Sequence, residues 1–294
     1  PGAVGDQVTI PSIFIGNTAG EAIVADYNSD PASAALVVNT IAFQAGNTPD
    51  LITNFSSRGP GVGQVLNPDI AAPGDNILAQ GYAPGATGEE QYFGYGQASG
   101  TSMAAPHVAG AAVLVREAYP NWSNAAIKSA LMTTAKYTDI YNFDGSPAQP
   151  LDMGAGRLDL TNVLHPGVIL DPPSLSYGAV PTGTAKTLVV TVTSVATETE
   201  TYALSTLYTG NGFTATTALA GFSVEPASVT LAAGASAQIS VTIATTDSMG
   251  IGENQGYIVM DGAMYDAHMP AWARVIPAAP LADVLIIDND ASAV

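Results

Sequence analysis

At Gly167 the sequence changes its period, and that change divides the chain into two kinds of structure. Downstream, residues 186–194 (Lys-Thr-Leu-Val-Val-Thr-Val-Thr-Ser) and 236–244 (Ser-Ala-Gln-Ile-Ser-Val-Thr-Ile-Ala) alternate hydroxyl and branched apolar side chains. Neighbouring side chains of a strand point to opposite faces, so this alternation buries one face and wets the other. Turn residues such as Thr182-Gly183-Thr184 and Ala233-Gly234-Ala235 lie between such runs. Residues 167–277 therefore read as an antiparallel β-sandwich. Its aromatics Tyr202, Tyr208, Tyr257, Tyr265 and Trp272 read as exposed and open to a polymer such as a glycan, with packing as the simpler role.

Upstream the pattern is helical and rich in small residues. Residues 8–15 and 35–43 read as strands, and Thr18 to Glu21 has capping-box spacing for a helix over 18–27. Three elements in the first 46 residues are too few to close a domain. Residues 102–118, full of Ala, Gly and Val, predict a helix packed closely on a sheet, with Pro106 at the edge of its first turn. A second helix is expected over 124–135, capped by Ser123, with Ile127 and Leu131 facing inward. A third, short one is expected after Gly156-Arg157-Leu158-Asp159, ending before His165-Pro166. The Pro/Ala stretch 276–280 reads as a linker, and Asp283 to Asp288 as a strand of a further segment.

Composition excludes several functions. The net charge is −18, from 14 acids and 5 bases up to residue 166 and 11 and 2 after it. No basic stretch exists to cradle phosphates, which argues against a nucleic-acid partner and an anionic membrane surface. A uniformly acidic, Lys-poor surface suits a secreted protein in salty water. With no cysteine, disulfides, thiolate metal sites and a cysteine nucleophile all fall away. No apolar run approaches a membrane span. No signal peptide is visible, but the chain opens at Pro1 rather than Met, which leaves room for residues upstream.

Residues 99–110 read Ser-Gly-Thr-Ser-Met-Ala-Ala-Pro-His-Val-Ala-Gly, a serine where a Gly-containing turn meets a helix start. Such a turn admits close backbone approach, and the helix start offers unpaired N–H groups in a favourable dipole field. Ser102 can present its hydroxyl for attack and its own N–H to an oxyanion. A plain helix-cap serine would show the same local spacing.

The wider pattern separates the two. Gly100-Thr-Ser102-Met-Ala-Ala-Pro106-His107-Val-Ala-Gly110 resembles the nucleophile signature of the subtilisin-like peptidases. Asn54-Phe-Ser-Ser-Arg-Gly-Pro60 and Pro68-Asp-Ile-Ala-Ala-Pro-Gly74 echo that family upstream, and Gly154-Ala-Gly156 is similar to its stretch closing the catalytic domain. The resemblance implies an incomplete α/β subtilisin-like catalytic segment over 47–166, with Ser102 as nucleophile. Residues 1–46 resemble the end of a protease-associated domain, residues 167–277 a fibronectin-III-like sandwich, and 278–294 a linker with the start of a further segment.

The same resemblance places the catalytic Asp and His, and the Asn that supplies the second oxyanion donor, before Pro1. A serine without a base is a poor nucleophile, so the isolated chain is expected to be inactive. His107 lies inside the serine's helix and is expected to be structural, because the base must sit across the cleft. His165 and His268 read as surface or packing residues, and Asp69 and Asp75 as backbone-fixing. Arg58 reads as a structural donor, and Thr101 as an oxyanion helper or a turn stabiliser.

Asp26-Tyr-Asn28-Ser-Asp30 has the oxygen alternation of a calcium loop, but Pro31 follows where Gly is needed and no Glu follows in register. Asp288-Asn-Asp290 is no stronger. No metal and no cofactor are expected. The function expected is a secreted bacterial serine endopeptidase acting on protein or peptide substrates. The truncated central sheet is expected to expose an apolar edge, paired with the missing N-terminal half or a second copy. The rival reading is a non-catalytic pseudo-protease or adhesion module.

Overall fold

The structure is a computed structural model that describes residues 17–30, 47–82, 93–210, 212 and 218–278. The strands expected over 8–15, 35–43 and 283–288 lie outside these residues, as does Asp288-Asn-Asp290. The chain divides into two compact units, Pro1–Gly46 and Asn47–Val294. In the first, helix α1 (Asn17–Ser29) forms where the Thr18–Glu21 spacing predicts one. Ser29 Oγ donates to the Asp26 carbonyl (2.8 Å), so the alternating oxygens of Asp26 to Ser29 belong to a helix end rather than a loop.

The second unit opens with β1 (Leu51–Ile52), β2 (Ile77–Tyr82), β3 (Phe93–Ala98), α2 (Thr101–Ala118), α3 (Asn124–Thr133), β4 (Tyr141–Asn142) and α4 (Pro150–Met153). Strands β2 and β3 form an antiparallel hairpin, and β1 and β4 a parallel pair. Helix α3 starts as predicted: Ser123 Oγ accepts the Ala126 N–H at 3.1 Å, and Ile127 and Leu131 are buried. Helix α2 begins at Thr101, so Pro106 stands inside it rather than at its first turn. The ring there removes the N–H that would otherwise bond the Ser102 carbonyl one turn back.

The helix expected directly after Asp159 does not form. Asp159 Oδ1 accepts from Thr161 N (2.9 Å) and Thr161 Oγ1 (2.5 Å), and that local closure holds the chain in turns over 160–164. The short helix forms earlier, at α4, where Pro150 opens the turn and the Asp152 carboxylate accepts the Gln149 N–H at 2.9 Å.

Among the described residues from Val168 on, every element is a strand: β5 (Val168–Asp171), β6 (Leu175–Pro181), β7 (Ala185–Ser194), β8 (Glu200–Leu207), β9 (Phe222–Glu225), β10 (Ser228–Leu231), β11 (Ser236–Ala244), β12 (Gly252–Asp261) and β13 (Ala267–Ile276). Two sheets result, ordered β10-β8-β12-β13-β6 and β5-β7-β11-β9. Their inner faces share one core, including Val190, Val192, Ile239, Val241 and Ile243 from the second sheet and Leu175, Ile258 and Met269 from the first. The outer face of the β7–β11 pair carries hydroxyls, with Thr187 and Thr242 bonded at 2.7 Å. The antiparallel expectation needs one correction, because β13 runs parallel to β6. The exposed-aromatic expectation also fails: Tyr202, Tyr257 and Trp272 are fully buried, and Tyr208 and Tyr265 pack against the core.

The strands continue directly into the helical part. Trp272 is buried with Leu66 and Leu151, Gln255 Oε1 accepts the Leu151 N–H (2.7 Å), and Ser129 Oγ accepts the Leu170 N–H (2.8 Å). Asp50 ties two further segments, accepting from Lys136 Nζ at 2.7 Å and Arg157 Nε at 2.6 Å. Partial burial alone would raise its pKa, but the two cationic donors outweigh that and hold it below the usual carboxylate value.

His268 lies in the same junction, stacked on Tyr137 (3.9 Å between ring centres), with Nε2 donating to the Ala155 carbonyl at 2.6 Å. Burial pushes its pKa from 6.5 down to about 4, against the opposing pull of the carbonyls of Ala155 and Thr133. Between those values the unfolded chain binds a proton that the folded chain refuses. Stability is therefore complete above the unfolded pKa and declines as pH falls toward the folded one. The expected loss is about 3 kcal/mol between pH 7 and 4. Urea unfolding across that range should show it, and His268→Gln should flatten the slope between pH 6.5 and 4.

Candidate active site

The segments with the subtilase-like sequence meet one another through backbone contacts that leave no room for side chains. Gly154 has φ +62, and a Cβ there would fall 2.3 Å from the Asp69 carbonyl carbon and oxygen. Gly156 has φ +122, and its Cβ would meet the Lys136 carbonyl oxygen at 2.1 Å. Both glycines are therefore required by conformation and by space. Through them residues 154–158 lie along 69–71: Ala155 N–H donates to Asp69 O (2.9 Å), Ala71 N–H to Gly156 O (2.8 Å) and Leu158 N–H to Ala71 O (2.7 Å). Asp69 also pairs with Lys128 through its carboxylate (2.7 Å).

The motif around Arg58 is anchored in the same way. Gly59 N–H donates to Leu151 O at 2.9 Å, and Arg58 donates to Asn142 Oδ1 (3.0 Å) and to the Asp152 carboxylate. Arg58 is thus committed to structure.

The segment that begins at Pro68 ends at Gly74, directly against the serine turn. Gly100 N–H donates to Gly74 O at 2.8 Å, and a Cβ on Gly74 would lie 2.8 Å from Gly100 O. Gly100 O in turn accepts the N–H groups of Met103 (3.0 Å) and Ala104 (3.3 Å), which starts α2. Thr101 and Ser102 are the first two helical residues, and their N–H groups have no acceptor within the helix. Among the described residues no side chain caps this end, and Ser102 is exposed. The arrangement offers a free hydroxyl beside unpaired amides at the positive end of an 18-residue helix, a local geometry suited to an attacking oxygen and one donor to a developing oxyanion.

Two of the three histidines are engaged elsewhere. His107 Nδ1 donates to the Met103 carbonyl one turn back (2.8 Å), and His268 is buried against Ala155. His165 is exposed beyond the 160–164 turns. Among the described residues no three of His, Cys, Asp and Glu gather closely enough to hold a metal.

Two features escape a reading of the residues. Exposed apolar side chains lie on α2, with Val113 66% and Leu114 49% exposed, as well as on strand β2, with Leu78 71% exposed. Between α2 and α3 runs a cavity of about 470 Å³ lined by Val108, Ile127, Leu131 and Met132, and Ser102 does not border it. The second feature is the grip of residues 74–76 on 99–100, in which Asp75 and Ser99 stand 24 residues apart with no local pattern to announce them.

Residues 8–156 match the family model described as the subtilase family, peptidase S8. Among similar proteins of Arabidopsis thaliana, subtilisin-like protease SBT1.6 is 38% identical over 188 residues, which cover 60% of this chain and 25% of that protein. Subtilisin-like protease SBT1.9 is 40% identical over 169 residues, 55% of this chain and 22% of that protein. The chain thus spans about a quarter of the length of the curated relatives it matches. These relatives come from a plant and lend nothing to the expected bacterial origin. Among solved structures, the ASH/PapD-like domain of human CEP192 is similar over 38% of this chain and 87% of its own, at 17% identity and a TM-score of 0.30. The matched stretch contains the serine turn, the Gly74 buttress and both glycines of the Gly154–Gly156 closure, and half of the sequence lies within it: this chain belongs to the subtilase family.

Proposed function

We propose that this chain is the nucleophile-bearing part of a secreted serine endopeptidase, with Ser102 attacking the scissile carbonyl of a protein substrate. The single observation that carries the reading is the exposed Ser102 on the first turn of α2, uncapped, next to unpaired amides. Attack forms an acyl-enzyme as the peptide C–N bond breaks, and water then releases the acyl group. During attack the Ser102 N–H donates to the oxyanion. The proton from Oγ passes to a histidine and on to the leaving amine, with a carboxylate orienting that histidine.

The His107 and His268 rings are each tied to a backbone carbonyl, which supports a base, its orienting Asp and a second oxyanion donor supplied from upstream of Pro1. The exposed Leu78 on β2 and Val113 and Leu114 on α2 support the same N-terminal half as the neighbour of this segment. The compact unit ending at Gly46 and the two sheets from Val168 to Ile276 suit a protease-associated remnant and a fibronectin-III-like sandwich.

The reading separates cleanly from the pseudo-protease alternative by assay. The full-length protein is expected to cleave a denatured protein substrate, and the 294-residue chain alone is expected to leave it intact. A folded full-length protein that cleaves no peptide bond would favour the non-catalytic reading.

A further inference from the structure

Residues 74–76 hold the two residues before the serine turn by a network that the catalytic proposal does not use. Ser99 Oγ donates to Asp75 Oδ1 at 2.7 Å while accepting the Asn76 N–H at 2.8 Å. One residue on, Gly100 N–H donates to Gly74 O at 2.8 Å. Asn47 braces the gripping side, its Nδ2 donating to the Asp75 carbonyl (2.8 Å) and its Oδ1 accepting from Asn76 Nδ2 (2.8 Å). Asn76 itself has φ +51, a conformation that asparagine tolerates better than most residues.

We infer that Asp75 is a positioning residue for the nucleophile, acting through Ser99 to set where α2 begins. This rests on the Ser102 reading and deepens it. The geometry behind it is a lever. Gly100 O is the acceptor for the first N–H groups of α2, and it is pinned against Gly74 on one side. The carboxylate of Asp75 fixes the residue immediately before it. With the Asp75 carboxylate removed, residues 99–100 keep the Gly74–Gly100 bond and the Asn76 N–H bond to Ser99 Oγ, and the turn carrying Thr101 and Ser102 loses one of its three points of attachment. The network is solvent-facing, so its contribution to global stability is small. Its effect falls on the placement of Ser102 Oγ and N–H, where a displacement near 1 Å costs up to about a hundredfold in rate.

The test is a double-mutant cycle in the full-length protein, with Asp75→Ala, Ser99→Ala and the pair, plus Asp75→Asn. Readouts are kcat and KM on a peptide ester, the rate of phosphonylation by a fluorophosphonate, and thermal unfolding. Asp75→Ala is expected to lower kcat and the phosphonylation rate roughly tenfold with KM unchanged. Ser99→Ala and Asp75→Ala should together cost less than the sum of their separate losses, since both remove the Ser99–Asp75 bond and only Ser99→Ala also takes the acceptor of the Asn76 N–H. Asp75→Asn, whose amide oxygen still accepts from Ser99, should recover most of the rate. Unchanged kcat in Asp75→Ala, additive losses, or an Asp75→Asn variant as slow as Asp75→Ala would overturn the inference. So would a loss that follows a fall in melting temperature. A wild-type protein that takes no phosphonate overturns the Ser102 reading as well, whereas a labelled wild type with an unaffected Asp75→Ala overturns this inference alone.

Discussion

Ser102→Ala is expected to lower peptide hydrolysis by the full-length protein about 10⁶-fold, the loss known for removal of the nucleophile in subtilisin. The size follows from the role. Without the hydroxyl no acyl-enzyme forms, and what remains is the weaker help of oxyanion donors and substrate binding. The fold should not notice the change. The Ser102 side chain is exposed and caps nothing, and alanine is the better helix former. KM and the melting temperature are therefore expected to stay near wild type while kcat collapses. A variant that loses activity together with its melting temperature would point to a structural role for the serine.

The second large effect is on stability. Gly154→Ala is expected to cost more than about 4 kcal/mol, or to prevent folding. Two terms combine: a Cβ at φ +62, and collision with Asp69 and Pro68 backbone atoms at 2.3 Å, which no side-chain rotation can relieve. The collision drives residues 154–158 off residues 69–71, so the damage travels to Gly74 and the serine turn. Gly145→Ala separates the two terms. That residue has φ +83 but nothing within 4 Å of its Cβ position, so only the conformational cost, about 1 kcal/mol, remains. Urea unfolding of both variants measures the difference, and equal losses would mean that the Gly154 contact is softer than its geometry.

The elements legible in the sequence are those specified locally. Strand β11 spans the Ser236–Ala244 alternation residue for residue, because period two on one buried face is a property of the strand alone. Helix α3 is legible from Ser123 and the Ile127/Leu131 spacing for the same reason. Strand β13 is not, since both of its faces are covered: Met269, Ala271 and Ala273 face the sandwich core, while His268 and Trp272 meet the helical part. Burial on two sides erases alternation, and it explains why Trp272 and Tyr257 read as exposed when they are not. The turns at 160–164 were hidden because one carboxylate, Asp159, overrides a helical pattern.

The candidate site divides along the same line. The serine turn is legible because a Gly-containing turn, a serine and a small-residue helix are contiguous. The Gly74 buttress and the Asp75–Ser99 bond are long-range pairings, visible only once the chain is folded.

The most direct measurement is to expose the folded full-length protein to a fluorophosphonate and locate the adduct by peptide mass spectrometry. A single adduct on the Ser102 hydroxyl, lost in Ser102→Ala, is the result expected. A folded protein that stays unmodified, or that carries the adduct on another residue, would contradict the assignment of Ser102 as nucleophile.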